Sequence, residues 1–168
     1  MTIEFKLIEE NDRDTINNLL QFEYYDFCKY HNDDLQDNGK YDYVIKEKII
    51  EEKHSYIILA DNKIAGFMLI SEKIGLKKIE EFWIYPKYSK GLFVYKVLIK
   101  FSKIESGLFE YLIYKDNDRW LKGSEYMFNK HPQFVEIVLK QEKQFLINSK
   151  ICTFVRYVIK LNYNNDEK

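Results

Sequence analysis

A chain of 168 residues with 46% apolar and 32% charged residues has the length and balance of one ordinary globular domain. Lys plus Arg total 26 against 27 for Asp plus Glu, and a net charge of -1 offers no basic footprint for nucleic acid. No apolar run reaches the length of a membrane helix, and Met1-Thr2-Ile3-Glu4 lacks the basic-then-apolar layout of a signal peptide, so a cytoplasmic location is expected.

In chain order, Ile3, Phe5 and Leu7 alternate with Glu4 and Lys6, which predicts a half-buried strand over residues 3–8. Ile16, Leu19, Leu20 and Phe27 recur at helical spacing and predict a helix over residues 15–30, with Asp12 or Asp14 as its cap. Asn38-Gly39 marks a turn, and Ile45, Ile49 and Ile50 predict a second helix over residues 42–53. Strands over residues 55–60 and 63–71 flank Asp61-Asn62, a two-residue hairpin connection. A strand over residues 78–85 stops at Pro86, which cannot donate to a ladder. A helix opens at Gly91 and runs to residue 104, with Val94, Val97, Leu98 and Phe101 on its apolar face. Residues 109–114 form a strand. Asp116-Asn117-Asp118 caps a further helix, which Gly123 weakens and Pro132 limits. Strands at residues 134–139 and 151–161 close the domain, read as residues 1–163, and residues 164–168 are expected as a disordered tail. The order β-α-α-β-β-β-α-β-α-β-β, hairpins with one β–α–β crossover, predicts an α/β (α+β) fold with a mixed, mostly antiparallel sheet flanked by helices.

The 14 tyrosines and 12 phenylalanines read as compositional background, and Cys28 and Cys152 as buried, reduced thiols. His31, His54 and His131 share no ligand spacing, so no metal site is expected and each reads as a surface or loop residue. The informative stretch is Glu80-Glu81-Phe82-Trp83-Ile84-Tyr85-Pro86-Lys87-Tyr88-Ser89-Lys90-Gly91-Leu92: a strand, a basic loop with glycine, then an amphipathic helix. Free N–H groups at such a helix N-terminus can hold an anion, aided by the helix dipole. A plain turn is the other reading of a single glycine there.

With these residues the chain resembles the GNAT superfamily of N-acetyltransferases, over nearly its whole length in element order and over residues 80–101 in local pattern. Tyr24-Tyr25-Asp26-Phe27, Asn38-Gly39-Lys40-Tyr41-Asp42-Tyr43 and Ala65-Gly66-Phe67 look like a bacterial acetyltransferase subgroup. Three features depart from the family loop. Ser89 stands where Arg or Gln is usual, the loop is one residue short, and Phe93 replaces a small residue. The Phe93 ring would either clash with a pyrophosphate or turn into the core.

The resemblance implies transfer of an acetyl group from acetyl-CoA, a co-substrate, to a primary amine of a small molecule or protein. The alternative it allows is a non-catalytic domain that binds acyl-CoA or a protein partner. It implies that backbone groups of Trp83 and Tyr85 pair with the pantetheine arm, and that an N–H near Ile84 or Tyr85 polarises the acetyl carbonyl. Amides of Ser89, Lys90, Gly91, Leu92 and Phe93 would hold the pyrophosphate. Asn117 would touch the cofactor, cap a helix, or do both. Glu81, placed by the strand period on the face of Trp83 and opposite Glu80, would be the base that frees the amine; an exposed edge charge is the other reading. Tyr126 would protonate the leaving thiolate, the family position itself being Ser124. Homodimers are frequent in the family, and Asp33, Asp34, Asp37 and Asp42 would suit a cationic amine at the site's rim.

Overall fold

In the computed structural model, which describes residues 1–30, 33–89 and 92–162, the alternating segments do become strands. They are β1 (Ile3–Leu7), β2 (Tyr56–Ala60), β3 (Lys63–Lys73), β4 (Leu76–Ile84), β5 (Gly107–Tyr114), β6 (Val135–Ile147) and β7 (Lys150–Leu161). The helices are α1 (Arg13–Phe27), α2 (Glu47–Glu51), α3 (Phe93–Ile104) and α4 (Asp118–Lys130), with a 3-10 turn at Glu10–Asp12 before α1. One seven-stranded sheet runs in the order β1-β2-β3-β4-β5-β7-β6. Every pair is antiparallel except β4–β5, which the α3 crossover joins in parallel. Residues 164–168, expected as a tail, lie outside the described residues.

Helices cover both faces. On one, Ile16 and Leu20 of α1 and Ile49 and Ile50 of α2 pack on Ile57, Phe67, Leu69 and Trp83. On the other, Phe93 and Val97 of α3 meet Ile58, Ala65 and Ile84, while Phe101 of α3 and Met127 and Phe128 of α4 meet Met68, Ile70, Phe109 and Tyr157. Neighbours such as Phe67 and Met68 thus feed opposite cores, as the strand period requires.

The second helix is shorter than its pattern. Gln21 of α1 bonds the backbone of Tyr41 and Tyr43 (2.8 and 3.1 Å), and Asn17 accepts the Ile45 N–H at 2.8 Å. These bonds hold the chain before α2 off the helical path, so only Glu47–Glu51 winds. Strand β6 is longer than its apolar pattern, because Asn148 and Ser149 take positive φ (45° and 63°) and let it pair with β7 as a long hairpin. Helix α4 runs through Gly123 unbroken.

Candidate active site

Strands β4 and β5 pair only from Leu76–Leu108 to Lys78–Glu110. Beyond that point β4 stays with β3 as far as Ile84, and β5 stays with β7 as far as Tyr114. A gap therefore opens in the sheet. Two cavities meet there, sharing Phe27, Phe82, Leu98, Asn117, Trp120, Ser124 and Met127 as walls. The larger, about 610 Å³, lies among the end of β4, the start of α3 and α4. The smaller, about 310 Å³, reaches under α1 to Glu23, Tyr43 and Glu81.

The backbone at the end of β4 corrects one expectation. The Tyr85 N–H donates to Ala65 of β3 at 2.8 Å, so it is already used. Trp83, two residues earlier, points its backbone the same way. Phe82 and Ile84 turn their N–H and C=O groups toward the gap instead. The Trp83 side chain is buried, and its Nε1 donates to Asp26 at 3.0 Å, which braces β4 against α1.

The loop before α3 brings a second correction. The Ser89 N–H bonds the Pro86 carbonyl at 3.3 Å inside a turn, and so does the Ser89 hydroxyl, at 3.0 Å. Ser89 is therefore not a free amide donor. Its carbonyl accepts a bond from Arg119 of α4, which clasps the loop. Lys90 and Gly91 lie outside the described residues. Leu92 is the exposed N-cap of α3, and Phe93 begins the helix. The Phe93 ring is 4% exposed and packs on Tyr88, with centroids 5.3 Å apart. It has turned into the core, while Leu92, Val94 and Tyr95 at the start of α3 line the larger cavity. Amides of the first turn have no carbonyl partner within the helix.

Asn117 caps α4, its Oδ1 accepting the Trp120 N–H at 3.4 Å, and it also lines both cavities. Tyr126 is exposed on the wall of the larger cavity, while Ser124 is buried and lines both.

The carboxyl cluster corrects a third expectation. Opposite Leu69 and Ile70 of β3 stand Glu81 and Ile79, so Glu80 is an extra, bulged residue. The bulge breaks the alternation and puts both glutamates on the α1 face. Glu80 bonds Ser71 (2.6 Å) and Lys78, whereas Glu81 accepts the Tyr43 hydroxyl. Glu23 of α1, 2% exposed, faces Glu81. Burial raises Glu81 to about 6, a shift that the Tyr43 bond opposes and the Glu80 charge adds to. Burial first, then the Glu81 charge, lifts Glu23 well above the usual carboxyl range. Burial likewise keeps the Tyr43 hydroxyl protonated. Glu23, Tyr43 and Arg119, which sequence reasoning did not single out for the site, join the candidates.

Among the described residues no group of His, Cys, Asp and Glu could hold a metal, and no helix is long and apolar enough to cross a membrane. His54 contacts Glu72 and Glu105, and His131 contacts Tyr95; His31 lies outside the described residues.

No family model and no curated protein matches the sequence. Solved structures do match in three dimensions. A protein described as a GNAT-family acetyltransferase from Bacteroides thetaiotaomicron superposes with a TM-score of 0.64 at 12% identity, over 98% of this chain and 90% of that one. A protein described as an acetyltransferase from Salmonella typhimurium, solved with its cofactor acetyl-CoA, gives 0.58 at 6% identity, over 100% of this chain and 99% of that one. The ribosomal-protein-S18-alanine N-acetyltransferase of Escherichia coli gives 0.54 at 6% identity, over 99% of both chains. The chain has the fold of the GNAT acetyltransferases.

Proposed function

We propose that the protein is an N-acetyltransferase that uses acetyl-CoA to acetylate a primary amine. One observation carries the reading: the gap where β4 leaves β5 joins the cavity lined by Leu92, Val94 and Tyr95 at the start of α3 to the half-buried Glu81 carboxyl. The residues present fit acetyl-CoA. Phe93 has withdrawn its ring, the first-turn amides can meet a pyrophosphate, and Phe82 and Ile84 present backbone groups to an extended arm. Asn117 and Arg119 flank the same cavity.

Acetyl-CoA supplies a thioester, on whose carbonyl carbon a neutral amine forms a C–N bond as the C–S bond breaks and sulfur leaves with the electron pair and takes up a proton. An ammonium has no lone pair, so a base must first take its proton. Glu81 does this as a carboxylate, its basicity raised by burial and its orientation held by the Tyr43 hydroxyl. The Ile84 N–H, facing the gap, is the backbone donor for the acetyl oxygen. Tyr126, on the wall of the larger cavity, is the candidate proton donor to sulfur.

A second reading, acyl-CoA binding without transfer, draws on the exposure of Tyr126 and on Ser124 at the family position. Thermal shift and thiol release together decide. Acetyl-CoA at 100 times its Kd should stabilise the protein by about 2.7 kcal/mol, and desulfo-CoA should do the same. No shift with millimolar ligand overturns both readings; a shift without thiol release in the presence of amines leaves binding alone. Arg119→Ala, which frees the loop before α3, should weaken acetyl-CoA binding about tenfold, or about 1.4 kcal/mol, in the same titration.

A further inference from the structure

Glu23 is costly where it stands. A carboxyl group buried in an apolar setting is stable only when neutral or paired. Its Oε2 has no hydrogen-bond partner among the described residues, and the side chain lines the smaller cavity. The carboxyl facing it, Glu81, has Tyr43 as its donor. Two carboxyl groups that face each other can share a hydrogen bond only while one keeps its proton. Among the described residues that line this cavity the one base is Lys78, and its ammonium is bonded to Glu80. Lys78 reaches the pair only through space, on the Glu81 side, and no cation bonds Glu23 among the described residues.

The rest of the lining is largely aromatic and aliphatic, with Asn117, Ser124 and several tyrosine hydroxyls among it. Phe27, Phe82, Tyr111, Trp120, Phe128 and Phe154 supply flat walls. A volume of about 310 Å³ sits at the lower end of the ~300–1,000 Å³ typical of small-molecule sites.

We infer that the acceptor is a small primary amine on an aromatic body, its ammonium seated between Glu23 and Glu81 and its ring lodged against these walls. This rests on the acetyltransferase reading for its chemistry, but binding can be measured without it. The ammonium takes the place of the shared proton, so one R–NH3+ enters as one H+ leaves and the pair becomes two carboxylates around one cation. The aromatic walls favour a ring over a polyamine, whose second ammonium would meet only Glu80, already held by Ser71 and Lys78. Glu23 is thus a positioning residue for the amine, and Glu81 is the base. The other titratable groups facing the pair are Tyr24 and Asp26 of α1, Tyr43, Lys78 and Glu80 of β4, and Tyr114 of β5.

Calorimetry with phenethylamine and the intact protein at pH 7.5, in two buffers of different ionisation enthalpy, tests the idea without acetyl-CoA. Binding should release close to one proton per site. Glu23→Gln, nearly the same shape, should weaken binding at least tenfold, abolish the release and leave the acetyl-CoA thermal shift unchanged. In turnover, phenethylamine should exceed both spermidine and a peptide with a free N-terminus at least tenfold in kcat/KM. The inference is overturned if phenethylamine does not bind, if Glu23→Gln binds it equally well, or if spermidine or the peptide is preferred. Amine binding with proton release but no response to acetyl-CoA would sink the acetyltransferase reading and leave the amine site standing.

Discussion

Replacing Glu81 with glutamine should lower kcat/KM for the amine by about 10²–10⁴-fold at pH 7.5, the range for a positioned general base. Gln keeps the size of the side chain and can still accept the Tyr43 hydroxyl, so the thermal shift with acetyl-CoA should persist. The pH profile gives the sharper test. Glu81 is raised to about 6, so it is the ionised base above that pH and carries its proton below it. Wild-type kcat/KM should therefore fall more steeply, by about a further tenfold per unit, as pH drops below about 6, on top of the gentler rise above it that proton release from Glu23 on amine binding gives. Glu81→Gln should lose that acid limb along with the rate. A variant that keeps wild-type activity, or a profile flat down to pH 5, would remove Glu81 from the chemistry.

The largest structural effect is expected at Gly66. It stands opposite Ile84 in the β3–β4 ladder, and a Cβ there would lie 2.2 Å from the Trp83 carbonyl oxygen, 2.9 Å from Ile84 Cδ1 and 3.0 Å from Ile84 Cα. The first and third of these are backbone atoms, which cannot swing aside as a flexible side chain can. Gly66→Ala should cost about 3 kcal/mol, the upper end for overpacking. At about 2–4 °C per kcal/mol for a chain of this size, Tm should drop by roughly 6–12 °C. The strain falls on the part of β4 that borders the gap, so acetyl-CoA binding should weaken as well. Gly123 of α4 is the control, because its Cβ would meet nothing within 4 Å. Gly123→Ala should stabilise by about 0.5–1 kcal/mol through helix propensity. Equal melting temperatures for Gly66→Ala and wild type would show that β3 and β4 are not packed as described.

Much of the frame was legible because it is local. Ile3, Phe5 and Leu7 announce β1, Asp61-Asn62 marks the β2–β3 turn with positive φ at both residues, and the Val94–Val97–Leu98–Phe101 spacing outlines α3. Pro86 closes β4 close to where it was expected to. The second helix misled because Ile45, Ile49 and Ile50 share helical spacing while Gln21 and Asn17, more than twenty residues upstream, hold the chain before Glu47 off that path. Strand β6 was under-read because Gln141–Gln144 carries no apolar alternation; its pairing with β7 comes from the hairpin turn.

The site shows the same division more sharply. Glu81 could be singled out from its place on the strand before the loop, but its partner Glu23 reads in sequence as one charge among the aromatic residues of α1. The bulge at Glu80 leaves no local trace, since it exists only as a mismatch in register with β3. Arg119 reads as a surface charge until α4 docks beside Ser89.

By itself, then, the order of amino acids determined the succession of strands and helices and the strand–loop–helix junction at residues 80–92, because periodicity, turn residues and proline act over a few positions. Only the tertiary structure decided where β4 parts from β5, which backbone groups at its end are already bonded, and which carboxyls meet. Those depend on strand register and helix docking between segments dozens of residues apart, and no local pattern encodes them.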